Sequence, residues 1–336
     1  MKNLLEKYSF GILLCLIILP VISRANAQQV KTRVIKSFKI IKGDRLAIDN
    51  QYGNIEVKTW TKNEVRIDIV IASRGTKQDN RVHIEAGKSK SIIACTTVID
   101  SAASAKSPGS YSINYLVYVP ADLPLNIKNQ FGNIKLGNYA GELNINQKFG
   151  DFTGGNLLAP GEIVTAQGNI DIDGMKGGGL NSRGFTHIKI AKVSGEISAG
   201  LSSGDLLEMN FTKTFSGLMI KSDNIRKINI GGVSNVEAFY KINLILSKFN
   251  NLSGLKFGES SPYPAAKMET QIDSLKTDVN RVDTTKRDVS KDKIMPLKKL
   301  QELKLIKKLK TYQSGDATAK CKVNIVTSFS TVTISN

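Results

Sequence analysis

One short segment of the chain fits a catalytic motif. Gly200-Leu201-Ser202-Ser203-Gly204 matches G-x-S-x-G, the sharp turn that presents a nucleophilic serine. That chemistry needs a helix after the turn and, further along the chain, an acid followed by a histidine. The residues after Gly204 alternate as a strand does, and no histidine follows His187. We therefore predict a glycine-serine turn here, no catalytic residues and no enzymatic activity.

Paired carboxylates are the second arrangement that could do chemistry. Asp171 and Asp173 are two residues apart and would share one face of a strand, and Asp151 and Asp205 occupy comparable turn positions. Such acids on neighbouring strands could bind calcium or act on a polysaccharide as an acid/base pair. Alternation also leaves polar residues on a wet face, and aspartate is common in turns. We favour this structural interpretation.

The two histidines give no metal site. His83 and His187 fall in separate strand regions, and neither belongs to a His-Glu-x-x-His or Cys-His cluster. A zinc site needs three or four such ligands in one place. The sequence predicts neither a metal nor a cofactor.

A lysine-rich segment near the C-terminus is the predicted binding element. Leucine or isoleucine recurs at every third position from 297 to 309, which predicts an amphipathic basic helix over 297–310. Such a helix could cap the fold, dock on an anionic surface or fill a groove of a partner protein. The residues predicted to contact an anionic surface are Lys298, Lys299, Lys304, Lys307, Lys308 and Lys310.

The overall charge favours anionic partners. The chain carries 47 Lys and Arg against 29 Asp and Glu, a formal charge of +18. Such a field attracts acidic polysaccharide, lipopolysaccharide or an anionic membrane. Aromatic residues make up 7% of the chain and no base-reading motif occurs, so specific nucleic-acid binding is not expected.

Elements of period two position these residues. In 64–71 and 112–119 the odd positions are apolar and the even ones mostly polar, as in half-buried strands. From residue 127 a repeat appears, in which Gly132-Asn133, Gly150-Asp151 and Gly168-Asn169 follow one another at intervals of 18. Each unit reads as two short strands that flank a turn, and such a unit buries its apolar face only by stacking on its neighbours.

The predicted fold class is therefore all-β. It is an irregular β-solenoid with an N-terminal portion like a β-sandwich and one basic helix in a late insert, and an antiparallel sandwich with glycine-rich hairpins is the alternative. We divide the chain into a signal peptide (1–27), an N-terminal β portion (28–126), solenoid repeats (127–258), a charged flexible insert carrying the helix (259–310) and a final β rung (311–336).

The N-terminus predicts export. Lys2 and Lys7 precede a short apolar stretch, and Ala25-Asn26-Ala27 fits a cleavage site, so the mature protein would reach the periplasm or cell surface. An exported compartment permits a disulfide between Cys95 and Cys321, although both could equally be buried and reduced.

Several segments together resemble the bacterial "putative adhesin" family of secreted β-strand-repeat proteins. They are Asn50-Gln51-Tyr52-Gly53-Asn54-Ile55-Glu56-Val57 with Trp60, the later 114–120 and 129–134, and the closing 327–329 with 332–334. Ser330 stands where that family usually has glycine. The resemblance implies a β-repeat fold and surface attachment, and it brings no catalytic residues.

We expect an exported, non-enzymatic, adhesin-like or cell-envelope module that binds carbohydrate or another anionic surface. A β-helical carbohydrate-active enzyme and a periplasmic envelope-stress accessory protein are the alternatives. The enzyme would need clustered acids and sugar-stacking aromatics, whereas Trp60 is the only tryptophan and lies outside the repeats.

Overall fold

The structure, a computed structural model, describes residues 29–74, 82–100, 111–260 and 309–336. The predicted signal peptide and most of the predicted charged insert lie outside these ranges. Five of the predicted binding lysines (Lys298, Lys299, Lys304, Lys307 and Lys308) also lie outside them.

The described chain is all-β, as the alternating pattern predicted. It forms one sheet that curls around a shared interior and nearly closes on itself. The strands are β1 Gln29–Lys39, β2 Arg45–Tyr52, β3 Ile55–Trp60, β4 Glu64–Arg74, β5 Val82–Ser89, β6 Ile92–Ile99, β7 Tyr111–Pro120, β8 Leu125–Phe131, β9 Ile134–Leu136, β10 Leu143–Lys148, β11 Phe152–Leu157, β12 Glu162–Ala166, β13 Ile170–Gly231, β14 Ala238–Ile245, β15 Lys248–Leu252, β16 Gly258–Ser260, β17 Leu309–Ser314, β18 Cys321–Ser328 and β19 Thr331–Ser335. A 3₁₀ turn, Val233–Asn235, separates β13 from β14. None of the helices within these residues has the length and apolar character needed to cross a bilayer.

Two rows of parallel strands enclose the interior. In the first row β6, β2, β8, β10 and β12 are successive neighbours, and in the second row β7, β3, β9 and β11 are. Both rows continue into β13. The partners from β8 onward are 17 or 18 residues apart, as in Ile127 with Ile145 and Ile163 with Leu180, so the predicted spacing reappears as register. Strand β8 begins at Leu125, and therefore the N-terminal strands and the repeats share one sheet.

Strand β13 is not straight. Its 62 residues would span about 200 Å if fully extended. Left-handed residues bend it at intervals, among them Gly184 at φ 71°, Ser203 at φ 55° and Asn224 at φ 56°. Ladder pairing continues through these bends, and β13 therefore contributes to both rows several times.

Each strand sends alternate side chains into the interior, where equivalent positions form apolar columns. Leu46, Leu125 and Leu143 are mutually paired and buried in one column, and Ile48 begins a second column that continues through Ile127. Parallel strands lie about 4.8 Å apart, so each side chain packs on its equivalent in the next strand. The core is thus a stack of layers rather than one central cluster.

Antiparallel strands cap both ends of the rows. At the N-terminal end β4 pairs with β7, β1 pairs with β4, and β5 pairs with β6. At the other end β17 pairs with β14, and the short β16 pairs with β17.

The C-terminal strands lie inside the stack. Strand β18 pairs in parallel with β13 on one side and with β14 on the other, and β19 lies in the same way between β13 and β15. Within the predicted final rung (311–336), β18 and β19 form the layer before the last parallel one, whereas β17 lies on the outer side of β14. Strands β14 and β15 form the last parallel layer although they come earlier in the chain than β18 and β19.

One expectation needs correction, and one pair of open alternatives is decided. The predicted helix does not extend to residue 310, because Leu309 and Lys310 belong to β17 and pair with Ile245 and Leu244. Cys95 and Cys321 are both free and buried. Cys95 lies in β6, which is separated from β13 by five strand spacings, or about 24 Å, and Cys321 lies in β18, beyond β13. A disulfide needs Cα atoms within about 7 Å of each other, so these two cysteines cannot be joined.

Candidate functional site

The outer polar face is the solvent side of the first row of strands, opposite the apolar columns. One of its columns contains neighbours in the order Thr96, Asp49, Lys128, Asn146 and Val164. A second column runs alongside it, through Ala94, Ala47, Asn126, Asn144 and Glu162. The face is therefore rich in amides and carries few large side chains.

The centre of this face contains unpaired polar groups. Lys128, Asn146 and Lys148 are exposed, and none of their side chains makes a hydrogen bond or ion pair with another described residue. They line a depression of about 290 Å³ together with Gln51, Gln130 and one acid, Asp49, so its lining has two cations against one carboxylate. Further along, Glu162 accepts a hydrogen bond of 3.1 Å from Asn181 and donates its backbone N–H to Asn144. The unpaired centre therefore has cations and amides available for a ligand.

A buried column of polar side chains lies under the face and holds it rigid. Asn129 donates to the carbonyl oxygens of Gly53 and Gly132 at 3.1 and 3.0 Å, and it accepts from Asn50 at 3.2 Å. Other members of this column are buried at equivalent positions, with Thr97 bonded to Asn50 and Thr165 bonded to Ser182. Hydrogen bonds of this kind fix the register of the strands, because a slip would leave buried polar groups without partners.

The turns between the two rows are joined by a ladder of asparagine and aspartate. The backbone N–H of Asp151 donates to Asn133 Oδ1 at 2.9 Å, and Asp151 Oδ1 accepts from the N–H of Asn169 at 2.8 Å. Asn169 Oδ1 in turn accepts from the N–H of His187. Asp151, predicted as a turn residue, is therefore one link in this ladder.

Glycine is required beside this ladder because the turns stack on one another. A β-carbon at Gly150 would lie 2.1 Å from the carbonyl oxygen of Gly132, and one at Gly168 would lie 1.9 Å from that of Gly150. Outside the glycines, the rings of Tyr52, Phe131 and Phe149 stack with centroids 5.2 and 5.0 Å apart. These rings fill the turn column through its first half.

The second half of the turn column is open and forms a groove of about 770 Å³, here called the corner groove. Small residues occupy the column where rings would otherwise continue, and large apolar residues reappear at its far end. Its lining residues are Phe185, Ser203, Gly204, Asp205, Asn224, Arg226, Leu246, Lys248, Phe329, Ser330 and Thr331.

The corner groove combines apolar and basic groups. Phe329 and Leu246 are 56% and 42% exposed. Both have left-handed backbones, at φ 53° and 52°, a conformation that costs a bulky residue about 1–2 kcal/mol. Arg226 forms an exposed ion pair of 3.3 Å with Asp205, and Lys248 has no ion-pair partner among the described residues.

The remaining predicted residues do not form a common site. Asp171 and Asp173 are both exposed on one face of β13, as predicted, and they lie on the second row, away from the outer polar face. Lys310 pairs with Glu259 at 3.1 Å on the C-terminal cap, and this contact raises the pKa of Lys310. Ser203 is a turn residue with a left-handed backbone, and a strand follows the turn instead of the helix that a nucleophile turn requires.

The histidines and acids show no metal arrangement within the described ranges. His83 lies in β5, 3.6 Å from Glu85, and His187 is in the turn ladder. No group of three or more His, Cys, Asp or Glu residues there is placed to hold a metal ion.

The sequence analysis did not find the corner groove. Its lining comes from five separate segments of the chain, and only the layer order brings them together. One signal was present: in Phe329-Ser330, as in Leu246-Ser247, serine follows a bulky residue where the earlier turns have glycine.

Comparisons with known proteins give structural neighbours alone. No family model matches the chain, and no curated protein matches it. A solved structure described as a putative cell adhesion protein from Clostridium sporogenes aligns over 91% of this chain and 99% of its own, at 9% identity and a TM-score of 0.28. Another, described as a putative adhesin from Bacteroides fragilis, aligns over 59% of this chain and 97% of its own, at 16% identity and a TM-score of 0.32. Both descriptions agree with the adhesin resemblance drawn from the sequence. Overlaps this loose carry no information about the site.

Proposed function

We propose that the protein is an exported, non-enzymatic module of the cell envelope, built as an irregular β-solenoid, that binds carbohydrate through its outer polar face. The ligand class is an acidic polysaccharide, with lipopolysaccharide and anionic membrane as related anionic surfaces. The adhesin descriptions of its structural neighbours are in keeping with this role.

The unpaired group of Lys128, Asn146 and Lys148 is the observation that carries the proposal. In-register pairing and the buried polar column beneath fix the backbones that bear these groups, although the exposed lysine side chains rotate. Lys128 and Asn146 lie on neighbouring strands about 4.8 Å apart, and amides and ammonium groups at such spacings can donate to successive hydroxyl or carboxylate oxygens of an extended chain. Binding therefore has to order the side chains but not the strands that carry them.

A retention experiment tests this role. The mature protein is passed over immobilised polygalacturonate and over neutral galactan, at low and at high salt. We expect retention on the acidic polymer that weakens as salt rises, because exposed charge pairs are screened. The double variant Lys128→Gln/Lys148→Gln should bind about tenfold more weakly, since a hydrogen bond to a charged group contributes about 1.5 kcal/mol or more.

A matched control separates the face from the net charge. Lys135→Gln/Lys189→Gln removes two exposed lysines from the second row, so it changes the total charge equally. Equal loss in both variants would mean that charge alone drives retention, and the outer polar face would then have no special role. Release of shortened sugars during the experiment would instead favour the carbohydrate-active enzyme.

The lysines at 298, 299, 304, 307 and 308 remain a predicted second contact. Changing all five to glutamine and measuring co-sedimentation with anionic liposomes or polysaccharide tests them independently. Unchanged binding would exclude that segment as the anionic-surface element.

A further inference from the structure

We propose that the corner groove is a second binding site, specific for a sugar ring that carries a carboxylate. The inference deepens the proposed function, because it keeps the same ligand class, a glycan. It rests on different residues, and it can stand or fail independently.

The shape of the groove comes from the missing members of the turn column. Tyr52, Phe131 and Phe149 stack ring on ring at about 5 Å in the first half of this column. Gln167 follows them with an exposed amide, and Gly184, Ser203 and Asn224 then carry little bulk, until Phe329 and Leu246 close the column. The apolar face of a sugar ring can occupy this part of the column and pack against Phe329.

Charge selects an acidic ring. Thr331 pairs with Lys248 on one side and with Lys227 on the other, and Arg226 precedes Lys227 in the same layer. Arg226, Lys248 and Thr331 all line the groove, with Arg226 and Lys248 on the two strands that flank Thr331. The one acid in the lining, Asp205, already contacts Arg226, and both side chains are largely exposed, so this ion pair is weak and can rearrange. The lining has one cation more than it has acids.

The test uses a galacturonic acid trimer and its fully methyl-esterified form, which has the same rings and linkages without charge. Calorimetry on the mature protein should show the acid binding at least tenfold more tightly than the ester. Phe329→Asn removes the ring but suits the left-handed backbone, so it keeps the fold, and it should weaken the acid by about tenfold. Arg226→Gln and Lys248→Gln should abolish most of the preference for the acid.

A control variant has the same chemistry outside the groove. Phe149 is also an exposed ring with a left-handed backbone, at φ 49°, and Phe149→Asn should leave trimer binding unchanged. Equal affinity for acid and ester, or equal binding by Phe329→Asn and the wild type, would overturn the inference.

The two proposals have separate outcomes. If the variant Lys128→Gln/Lys148→Gln loses retention on the polymer but binds the trimer normally, both sites exist as described. If the wild type binds the trimer through Phe329 but is not retained on the polymer, the outer polar face is refuted and the corner groove stands. If the trimer binding responds to Lys128 and Lys148 and not to Phe329, the corner groove is refuted.

Discussion

Replacement of Asn129 tests whether the buried polar column holds the stack together. Its side chain is 3% exposed and makes three hydrogen bonds, two to glycine carbonyls and one to Asn50. Each of the three partners also has another hydrogen bond: Asn50 donates to the carbonyl oxygens of Ile113 and Gly53, and Gln147 donates to that of Gly132. The loss of Asn129 therefore costs the net value of each bond, about 1 kcal/mol, and not the full penalty of an orphaned group.

The expected cost of Asn129→Ala is thus about 3 kcal/mol of unfolding free energy. Asn129→Leu fills the space but restores no hydrogen bond, so it should still cost more than about 2 kcal/mol. This second variant separates lost hydrogen bonding from a cavity. Gln130→Ala removes the neighbouring amide, which is exposed, and should change stability by less than about 0.5 kcal/mol.

Urea unfolding measures these differences. Trp60, the single tryptophan, lies in β3 and reports on the adjoining layers by fluorescence, while circular dichroism follows the whole sheet. A midpoint shift at constant slope gives the change in stability. If Asn129→Leu is as stable as the wild type, or if Asn129→Ala costs less than about 1 kcal/mol, the buried polar column only fills space and does not fix the register of the strands.

Three further predictions concern the turns, the acids and the thiols. Gly150→Ala should destabilise the protein by more than about 2 kcal/mol in urea unfolding, because its β-carbon would meet the Gly132 backbone, whereas Gly137→Ala, with open space around it, should be nearly neutral. Burial raises the pKa of Asp68, but the hydrogen bonds from Arg66 and Arg33 lower it by a larger amount, so the net pKa lies below the usual value of an aspartate. The charged carboxylate therefore stabilises the fold at pH values above the pKa of an unfolded aspartate, about 3.9, and this stabilisation is lost as the pH falls below that pKa. The difference in unfolding free energy between the wild type and Asp68→Asn should be constant from pH 8 to 6 and shrink toward pH 3. A difference that grows on acidification would contradict this. Burial raises the pKa of Cys95 to about 11 and also raises that of Cys321, so a thiol reagent at pH 8 should label neither until denaturant is added, and rapid labelling of the native protein would refute their burial.

Local pattern was sufficient for the strands and the turns. The alternation in 112–119 predicted apolar odd positions on the buried side, as Ile113, Tyr115 and Val117 are, and the interval of 18 residues became the register of β8, β10 and β12. These features follow from one or two neighbouring layers, and each layer carries its own glycine and asparagine signal. The outer polar face around Lys128 and the hydrogen bonds of Asn129 were not identified from the sequence, because both depend on which strands become neighbours.

Layer order was not accessible, because any of these strands could pair with any other. Nothing in the sequence of β18 indicates that it pairs between β13 and β14 instead of lying at the end of the stack. The corner groove depends on that order, since Phe329 meets Leu246 only through it. Similarly, leucines at every third position predicted helix up to residue 310, but pairing with β14 makes Leu309 and Lys310 a strand, so long-range contacts override the local period.

The position of the C-terminal strands determines the order in which the layers can assemble. A chain synthesised from its N-terminus can add layers in order only as far as β13, because the strands next to β13 are β18 and β19. The segment 238–252 precedes β18 by about 70 residues, so the strand edges that β18 and β19 occupy stay unpaired until residues 321–335 have been synthesised. A chain truncated before residue 321 would therefore leave these edges of β13 and β14 unpaired and accessible to proteases.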